Sequence, residues 1–250
     1  MLPSWLHYAL LAIDDHSLHS PYLYHFYTEI LHPPNASQGL PHLEVVRREM
    51  KRDRSRIWVG DCGTGKSGWR RISDIAKRSL STAERSSLYA RICAWKSSTR
   101  ALELGTSLGL NTLYLSEHCS EVVTFEGAET ICDYAGNLFR RMGRNGIRIV
   151  EGDIGETLPV EIRKYGPADF VLIDANHRAC ALNQYFGTIS AHAVSGTVIV
   201  IDDIRWSRSF YRAWCRLAKH QEVSLSLDLG SYGLLFLGQT TASGHYYLMT

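Results

Sequence analysis

The 250-residue chain lacks most of the features that assign a class at a glance. It has no run of about 20 apolar residues, so no membrane-crossing helix is expected. Its first residues lack a basic leader. Pro3, Ser4 and His7 break the apolar part of that segment before Asp14 and Asp15, so no secretory signal is expected either. The six cysteines, at 62, 93, 119, 132, 180 and 215, make no Cys-x-x-Cys and no paired spacing. That pattern suits reduced thiols in a cytoplasmic protein and excludes a disulfide framework. A formal charge of only +2 provides no global field for a polyanion, which argues against a nucleic-acid partner. There is no internal repeat and no low-complexity tract. What remains, 45% hydrophobic and 21% charged residues, is ordinary for a globular chain with one large α/β domain or two small ones.

The chain is organised around Arg100-Ala-Leu-Glu-Leu-Gly-Thr-Ser-Leu-Gly109, which predicts a buried strand, a turn and a helix starting near Leu110. Glu103 is a carboxylate in an apolar run, an expensive choice for core packing alone. Gly105 permits a sharp exit from the strand, and Gly109 allows close approach of a ligand to the backbone. The spacing is Gly-x-x-x-Gly, not the dinucleotide fingerprint. A second apolar run, Val122 to Phe125, ends in Glu126-Gly127 about twenty residues past the first turn, where an acid can accept from ribose hydroxyls. A third, Ile147 to Val150, ends in Glu151-Gly152-Asp153-Ile154.

Residues 1–98 read as helical, with Ser20-Pro21 opening one helix, Pro41 another and Ser81-Thr-Ala-Glu84 a capping box for a third. Four histidines and four tyrosines crowd the first 27 residues. They predict an aromatic layer that covers strand ends and shapes an acceptor pocket. Strands are expected at about 100–104, 121–126, 147–151, 168–173 and 197–201 with helices between, the pattern of a parallel sheet covered on both faces. Val223 to Leu227 and Tyr232 to Leu237, separated by a short turn with Gly230, predict a closing antiparallel hairpin. The domain expectation is a helical extension or lid at 1–98, a catalytic domain at 99–240 and a tail at 241–250.

Two later strands end in acids: Asp169 to Asp174, followed by Ala175-Asn176-His177, and Val198 to Asp202-Asp203. Three carboxylates converging there would repel one another unless a cation or protons intervene, and hard oxygen ligands favour Mg²⁺, Ca²⁺ or Mn²⁺. Structural alternatives stand beside this: Asp202 or Asp203 as helix caps, and His177 bonded to a loop carbonyl. Gly60-Asp-Cys-Gly-Thr-Gly-Lys-Ser67 formally matches a P-loop, but Gly68-Trp-Arg-Arg71 is a poor helix start for a nucleotide fold. The basic run Arg47 to Arg56 reads as a solvated helix end, with phosphate contact as its alternative.

The Glu-Leu-Gly, Phe-Glu-Gly and Gly-Asp-Ile series, with the hairpin end, resembles the class I methyltransferases that use S-adenosylmethionine. That resemblance implies an α/β, Rossmann-like, mostly parallel sheet. It assigns Glu103, Gly105, Thr106, Ser107 and Gly109 to the methionine end of the cofactor, Glu126 and Gly127 to the ribose, and Asp153 and Ile154 to the adenine, with Asp174 beside them. The acid cluster is similar to that of catechol-type and caffeoyl-CoA-type O-methyltransferases, which implies Asp174, Asp202 and Asp203 as ligands of a divalent cation, Mg²⁺ first. Asp203 departs from the Asn usual in that family. His177 stands where the family has a Lys base, and a neutral imidazole suits that task near pH 7. A group of bacterial class I methyltransferase-like proteins shares His19 to Tyr27, the stretch from Asp61 to Leu80, and Ile201 to Ser207. The function expected is methyl transfer to a small-molecule hydroxyl. The rivals are an RNA or protein methyltransferase and a catalytically silent S-adenosylmethionine-binding module.

Overall fold

A computed structural model describes residues 3–34, 39–60 and 67–250. The chain forms two compact units: Ser37–Val160, and Met1–Ala36 together with Glu161–Thr250.

The unit Ser37–Val160 begins with helix α3 (Pro41–Arg52), which has proline in its first turn and Lys51 and Arg52 in its last. A two-stranded antiparallel ribbon follows, β1 (Arg56–Val59) and β2 (Gly68–Arg71). The formal P-loop falls between these strands, and its residues 61–66 lie outside the described residues. Helices α4 (Ile72–Ser79) and α5 (Ala83–Trp95) come next. The cap of α5 is Thr82, whose hydroxyl accepts from the Arg85 N–H at 3.2 Å, one residue past the serine of the expected box. Three parallel strands then follow with helices between: β3 (Arg100–Leu104), α6 (Leu110–Leu115), β4 (Glu121–Glu126), α7 (Glu129–Arg141), β5 (Ile147–Glu151) and α8 (Ile154–Tyr165). The register sets Leu104 against Phe125 and Glu126 against Glu151, so the three strands end at one edge. Leu43, Val46 and Met50 of α3, Ile72 and Ala76 of α4, Leu110 and Leu113 of α6 and Leu138 and Phe139 of α7 share one buried cluster. The apolar stripe of each helix recurs at three- and four-residue spacing, which is why these helices bury one face each.

The charge run is not solvated throughout. Arg47 is buried, its Nε donates to both carboxylate oxygens of Glu44 at 2.9 Å, and its other nitrogens donate to Ser86 Oγ at 3.2 Å and to the Ser81 carbonyl. An arginine of α3 that binds α5 and the loop before it is a structural part of the fold.

The unit containing Glu161–Thr250 carries β6 (Phe170–Ile173) parallel to β7 (Val198–Ile201), with α9 (Ala179–Ser190) between them. After α10 (Arg208–Leu217), β8 (Val223–Asp228) and β9 (Gly233–Leu237) form the expected antiparallel hairpin, and β9 pairs antiparallel with β7. Residues 241–250, expected as a tail, contain a further strand, β10 (Gly244–Tyr247), parallel to β8. Helices α1 (Ser4–Leu11) and α2 (Pro21–His25), the latter continued as a π-helical turn through Leu31, belong to this unit. Ser20 caps α2 by accepting from the Leu23 N–H at 3.4 Å. The early aromatic residues pack within the unit: Tyr8 donates to the Leu248 carbonyl at 2.7 Å, and Phe26 meets Phe236 edge to face at 6.0 Å. Among the described residues no helix is long and apolar enough to cross a membrane.

Candidate active site

The acidic residues of the first three strand ends are brought together within one unit. Glu103 is 1% exposed and sits at the penultimate position of β3. Its Oε2 accepts from Thr124 Oγ1 at 2.7 Å and from the Thr112 hydroxyl. Thr106 Oγ1 lies 2.7 Å from Thr124 Oγ1. The single Thr124 proton is committed to Glu103, so Thr106 donates to Thr124. A buried relay thus runs from the turn after β3 through β4 to the carboxylate. Burial pushes the Glu103 carboxyl up to about 7, against the lowering effect of its two threonine donors.

Glu126, at the end of β4, links two turns. Its Oε2 accepts from the Ser107 N–H and its Oε1 from the Ala128 N–H, both at 3.1 Å. A carboxylate offers about four acceptor positions, so each oxygen retains capacity for another donor. Burial raises its pKa, opposed by those backbone N–H groups. The turn itself is held by the N–H groups of Gly105 and Thr106, both donating to the Phe125 carbonyl at 3.0 Å. Gly105 has φ 106°, Ser107 46° and Gly109 82°. A Cβ on Gly109 would lie 2.7 Å from the Phe139 ring, so only glycine fits there.

Gly152 continues the edge, donating to the Glu126 carbonyl at 2.9 Å. Asp153 accepts from the Gly155 N–H at 2.7 Å and so caps α8, while Ile154 is buried. Glu103, Gly105, Thr106, Ser107, Gly109, Glu126, Gly127, Asp153 and Ile154 therefore sit along the carboxyl ends of three adjoining strands. This is where an α/β sheet holds a ligand, and the glycine-lined turns beside Glu126 fit an adenosyl cofactor. Thr112 and Thr124 escaped sequence reasoning. Nothing in the spacing of either marks it as a partner of Glu103.

Asp174, His177, Asp202 and Asp203 lie in the other unit and form a cluster of their own. The Asp202 N–H donates to the Ile173 carbonyl at 2.9 Å, which sets the ends of β6 and β7 side by side. Asp202 is 2% exposed, and its Oδ1 accepts from the Asp203 N–H at 2.8 Å. Asp203 has φ 49°. His177 Nε2 lies 3.8 Å from Asp174 Oδ1 and 3.9 Å from Asp203 Oδ2, and among the described residues this buried atom has no hydrogen-bond partner. The imidazole stacks on Trp206 at 5.0 Å and meets Phe210 edge-on at 5.7 Å. Burial lowers its pKa below 6.5, against the raising influence of Asp203 and Asp202.

Among the described residues no group of three or more His, Cys, Asp and Glu side chains is arranged to hold a metal ion. An imidazole nitrogen faces both Asp174 and Asp203, and one Asp202 oxygen is committed to backbone. The cluster suits a neutral imidazole held ready to accept a proton. Trp206, within the stretch Ile201 to Ser207, and Phe210 are the aromatic rings against which the imidazole packs.

Arg205 fixes the same loop. Its guanidinium bonds both oxygens of Asp228 at 2.8 and 2.9 Å and donates to the Gly230 carbonyl. It lies 5.1 Å from the Tyr8 ring centre and 4.7 Å from that of Tyr211. Asp228 is fully buried, so this pair is hydrogen-bonded as a buried charge must be.

Residues 102–204 match the family model described as "Methyltransferase domain". No curated protein matches the chain. Among solved structures, the O-methyltransferase TomG from Streptomyces achromogenes, in complex with S-adenosylmethionine, is 18% identical, with a TM-score of 0.57 over 64% of this chain and 82% of that one. The O-methyltransferase from Bacillus cereus, in complex with S-adenosylhomocysteine, is 21% identical, with a TM-score of 0.56 over 65% of this chain and 84% of that one. The S-adenosylhomocysteine-bound methyltransferase PaMTH1 from Podospora anserina is 16% identical, with a TM-score of 0.58 over 83% of this chain and 98% of that one. At such identities the likeness establishes the fold, a mostly parallel α/β sheet with an antiparallel end. Residues 102–204 match a methyltransferase-domain model, and the chain has the fold of the solved methyltransferases named above.

Proposed function

We propose that this protein transfers a methyl group from S-adenosylmethionine to a hydroxyl oxygen of a small molecule. The observation that carries the reading is Glu126, suspended between the N–H groups of Ser107 and Ala128 inside a methyltransferase domain. S-adenosylmethionine supplies an activated methyl when bound, so the protein has to position the acceptor and remove its proton. In this reading Glu126 takes the ribose hydroxyls, the turn from Gly105 to Gly109 seats the methionine end, and Asp153 with Ile154 lies against the adenine. Glu103 acts through Thr106 and Thr124, which hold that turn. His177 accepts the acceptor's proton at Nε2, oriented by Trp206 and flanked by Asp174 and Asp203.

Residues 1–98 are assigned as an extension of the catalytic domain at 99–240, and 241–250 as a closing segment. The compartment assigned is the cytoplasm, supported by the five free cysteines among the described residues. Where a divalent cation such as Mg²⁺ binds, Asp174, Asp202 and Asp203 are the residues that would hold it, and it would lower the pKa of a coordinated acceptor hydroxyl.

Isothermal titration with S-adenosylmethionine tests the cofactor assignment. Binding is expected, with Glu126→Ala weakening it at least tenfold, about 1.4 kcal/mol. Unchanged binding would remove Glu126 from the site. Turnover on a panel of phenols, followed by S-adenosylhomocysteine release, tests the reaction. Binding without turnover would favour the silent module. Turnover abolished by EDTA and restored by Mg²⁺ would support the metal, and turnover that survives chelation would remove it.

A further inference from the structure

The ribbon of β1 and β2 has two unlike faces. Its register pairs Arg56 with Arg71, Ile57 with Arg70, Trp58 with Trp69 and Val59 with Gly68. Directly opposed residues share a face, and successive residues alternate. One face therefore carries Ile57 and Val59 with their partners Arg70 and Gly68, and Ile57 packs against the buried cluster of α3, α4, α6 and α7. The opposite face carries Trp58, Trp69, Arg56 and Arg71, and all four are exposed. The tryptophans are 47% and 60% exposed, with ring centres 5.9 Å apart and planes at 76°.

That outer face contributes nothing to the core and carries a cost. Two arginines directly opposed across a pair of strands repel one another. Two exposed tryptophans on a ribbon already anchored by Ile57 are not needed to hold it. The anchoring is firm at the base as well: the N–H groups of Ile72 and Ser73 donate to the carbonyls of Ser55 and Asp53 at 3.0 and 2.8 Å. Thr130 donates to the Trp58 carbonyl. The edge-on ring pair leaves aromatic surface open to a flat partner. Residues two apart on a strand are about 7 Å apart, so the aromatic rung and the guanidinium rung are separated by roughly the reach from a base to its own phosphate. Lys51, Arg52 and Arg54 extend the positive charge along the base of the ribbon, with Asp53 the one acid in the described segment 51–60.

We propose that this face binds single-stranded nucleic acid, bases stacking on Trp58 and Trp69 and phosphates meeting Arg56 and Arg71. Stacking platforms beside guanidinium groups are how sequence-tolerant single-strand binding is built. An anionic bilayer is the weaker fit, because the face has no leucine, isoleucine or phenylalanine to enter the acyl region. The net charge of +2 conceals the feature, since these charges are concentrated on one ribbon. The proposal is independent of the methyl acceptor and does not make the nucleic acid the substrate.

The test uses the full chain and fluorescence anisotropy of end-labelled oligo(U) and oligo(dT) of about 12 nucleotides, within the usual span of such sites. The two probes separate RNA from DNA as the source, and a duplex of equal length is the control. Single strands are expected to bind more tightly than the duplex, and each of Trp58→Ala and Trp69→Ala should weaken binding about 5- to 150-fold. Arg56→Gln with Arg71→Gln, surface changes that leave Ile57 and the core in place, should reduce the salt slope by about 1.4, two phosphates' worth on a single strand. No binding by the wild type at low salt overturns the proposal. So does binding that neither the tryptophan nor the arginine variants alter, or retention on phosphatidylglycerol vesicles without retention of oligonucleotides. S-adenosylmethionine titration of the same variants keeps this outcome separate from the cofactor assignment.

Discussion

Replacing Glu103 with Gln removes one ionisable group from the centre of the strand-end relay and leaves its shape. The amide oxygen can still accept from Thr112 and Thr124, which both donate to the carboxylate in the wild type. What the variant loses is the titration. Burial lifts the carboxyl from 4.5 to about 7 in the folded protein. A folded pKa above the unfolded one means that the favourable contribution is fully present below about pH 4.5 and is lost as the pH rises to about 7. The full difference is about 3 kcal/mol at roughly 1.4 kcal/mol per tenfold. Between about pH 5 and pH 8 the wild type should therefore lose roughly 2–3 kcal/mol relative to Glu103→Gln. Urea unfolding of both proteins at several pH values measures this directly, provided the slopes with denaturant agree. Parallel loss of stability in the two proteins would show that Glu103 does not titrate in the fold, and the account of the relay would fall. Because Glu103 is buried behind Thr106, S-adenosylmethionine affinity should change less in this variant than in Glu126→Ala.

Gly109→Ala forces a side chain into φ 82° and against the Phe139 ring. A loss of about 1–3 kcal/mol in chemical unfolding is expected. Arg205→Ala leaves Asp228 buried without its guanidinium, and a destabilisation of about 3–5 kcal/mol is expected by the same measurement. His177 is held below its ordinary pKa by burial, so the acid limb of kcat/KM should fall below pH 6.5. That limb should be absent from the residual activity of His177→Gln, and an unchanged profile would remove His177 as the base.

The alternating strands and helices after Arg100 were legible because each strand is an apolar run that ends in an acid or glycine. That pattern does not depend on distant contacts. The strand at Gly244–Tyr247 was not, because Gly-His-Tyr-Tyr has no apolar alternation and forms only by pairing with β8. The ribbon of β1 and β2 was likewise missed: Ile57-Trp58-Val59 is a short strand-favouring run, but its partner Gly-Trp-Arg-Arg carries little signal, and the pair forms only across the intervening loop. In the candidate site the acids themselves could be read, but their partners could not. Thr124 reaches Glu103 through the parallel register of β3 and β4, and Thr112 through the packing of α6, neither of which spacing shows. The acids at the ends of β6 and β7 could be read in the same way, but the approach of His177 Nε2 to Asp174 and Asp203 depends on side-chain direction, which spacing does not give.

Tyr8 reaches Leu248 across 240 positions of the chain, and the backbone of Ile13 bonds with Tyr247 and Met249. On a ribosome, the segment holding α1 and α2 must therefore wait until Tyr247, Leu248 and Met249 have emerged before it meets its mates. The unit Ser37–Val160 draws its contacts from a contiguous stretch and can condense well before that. Protein stalled short of β10 would present an unsatisfied β8 edge and an unclaimed aromatic helix, and would be the species most exposed to chaperone capture.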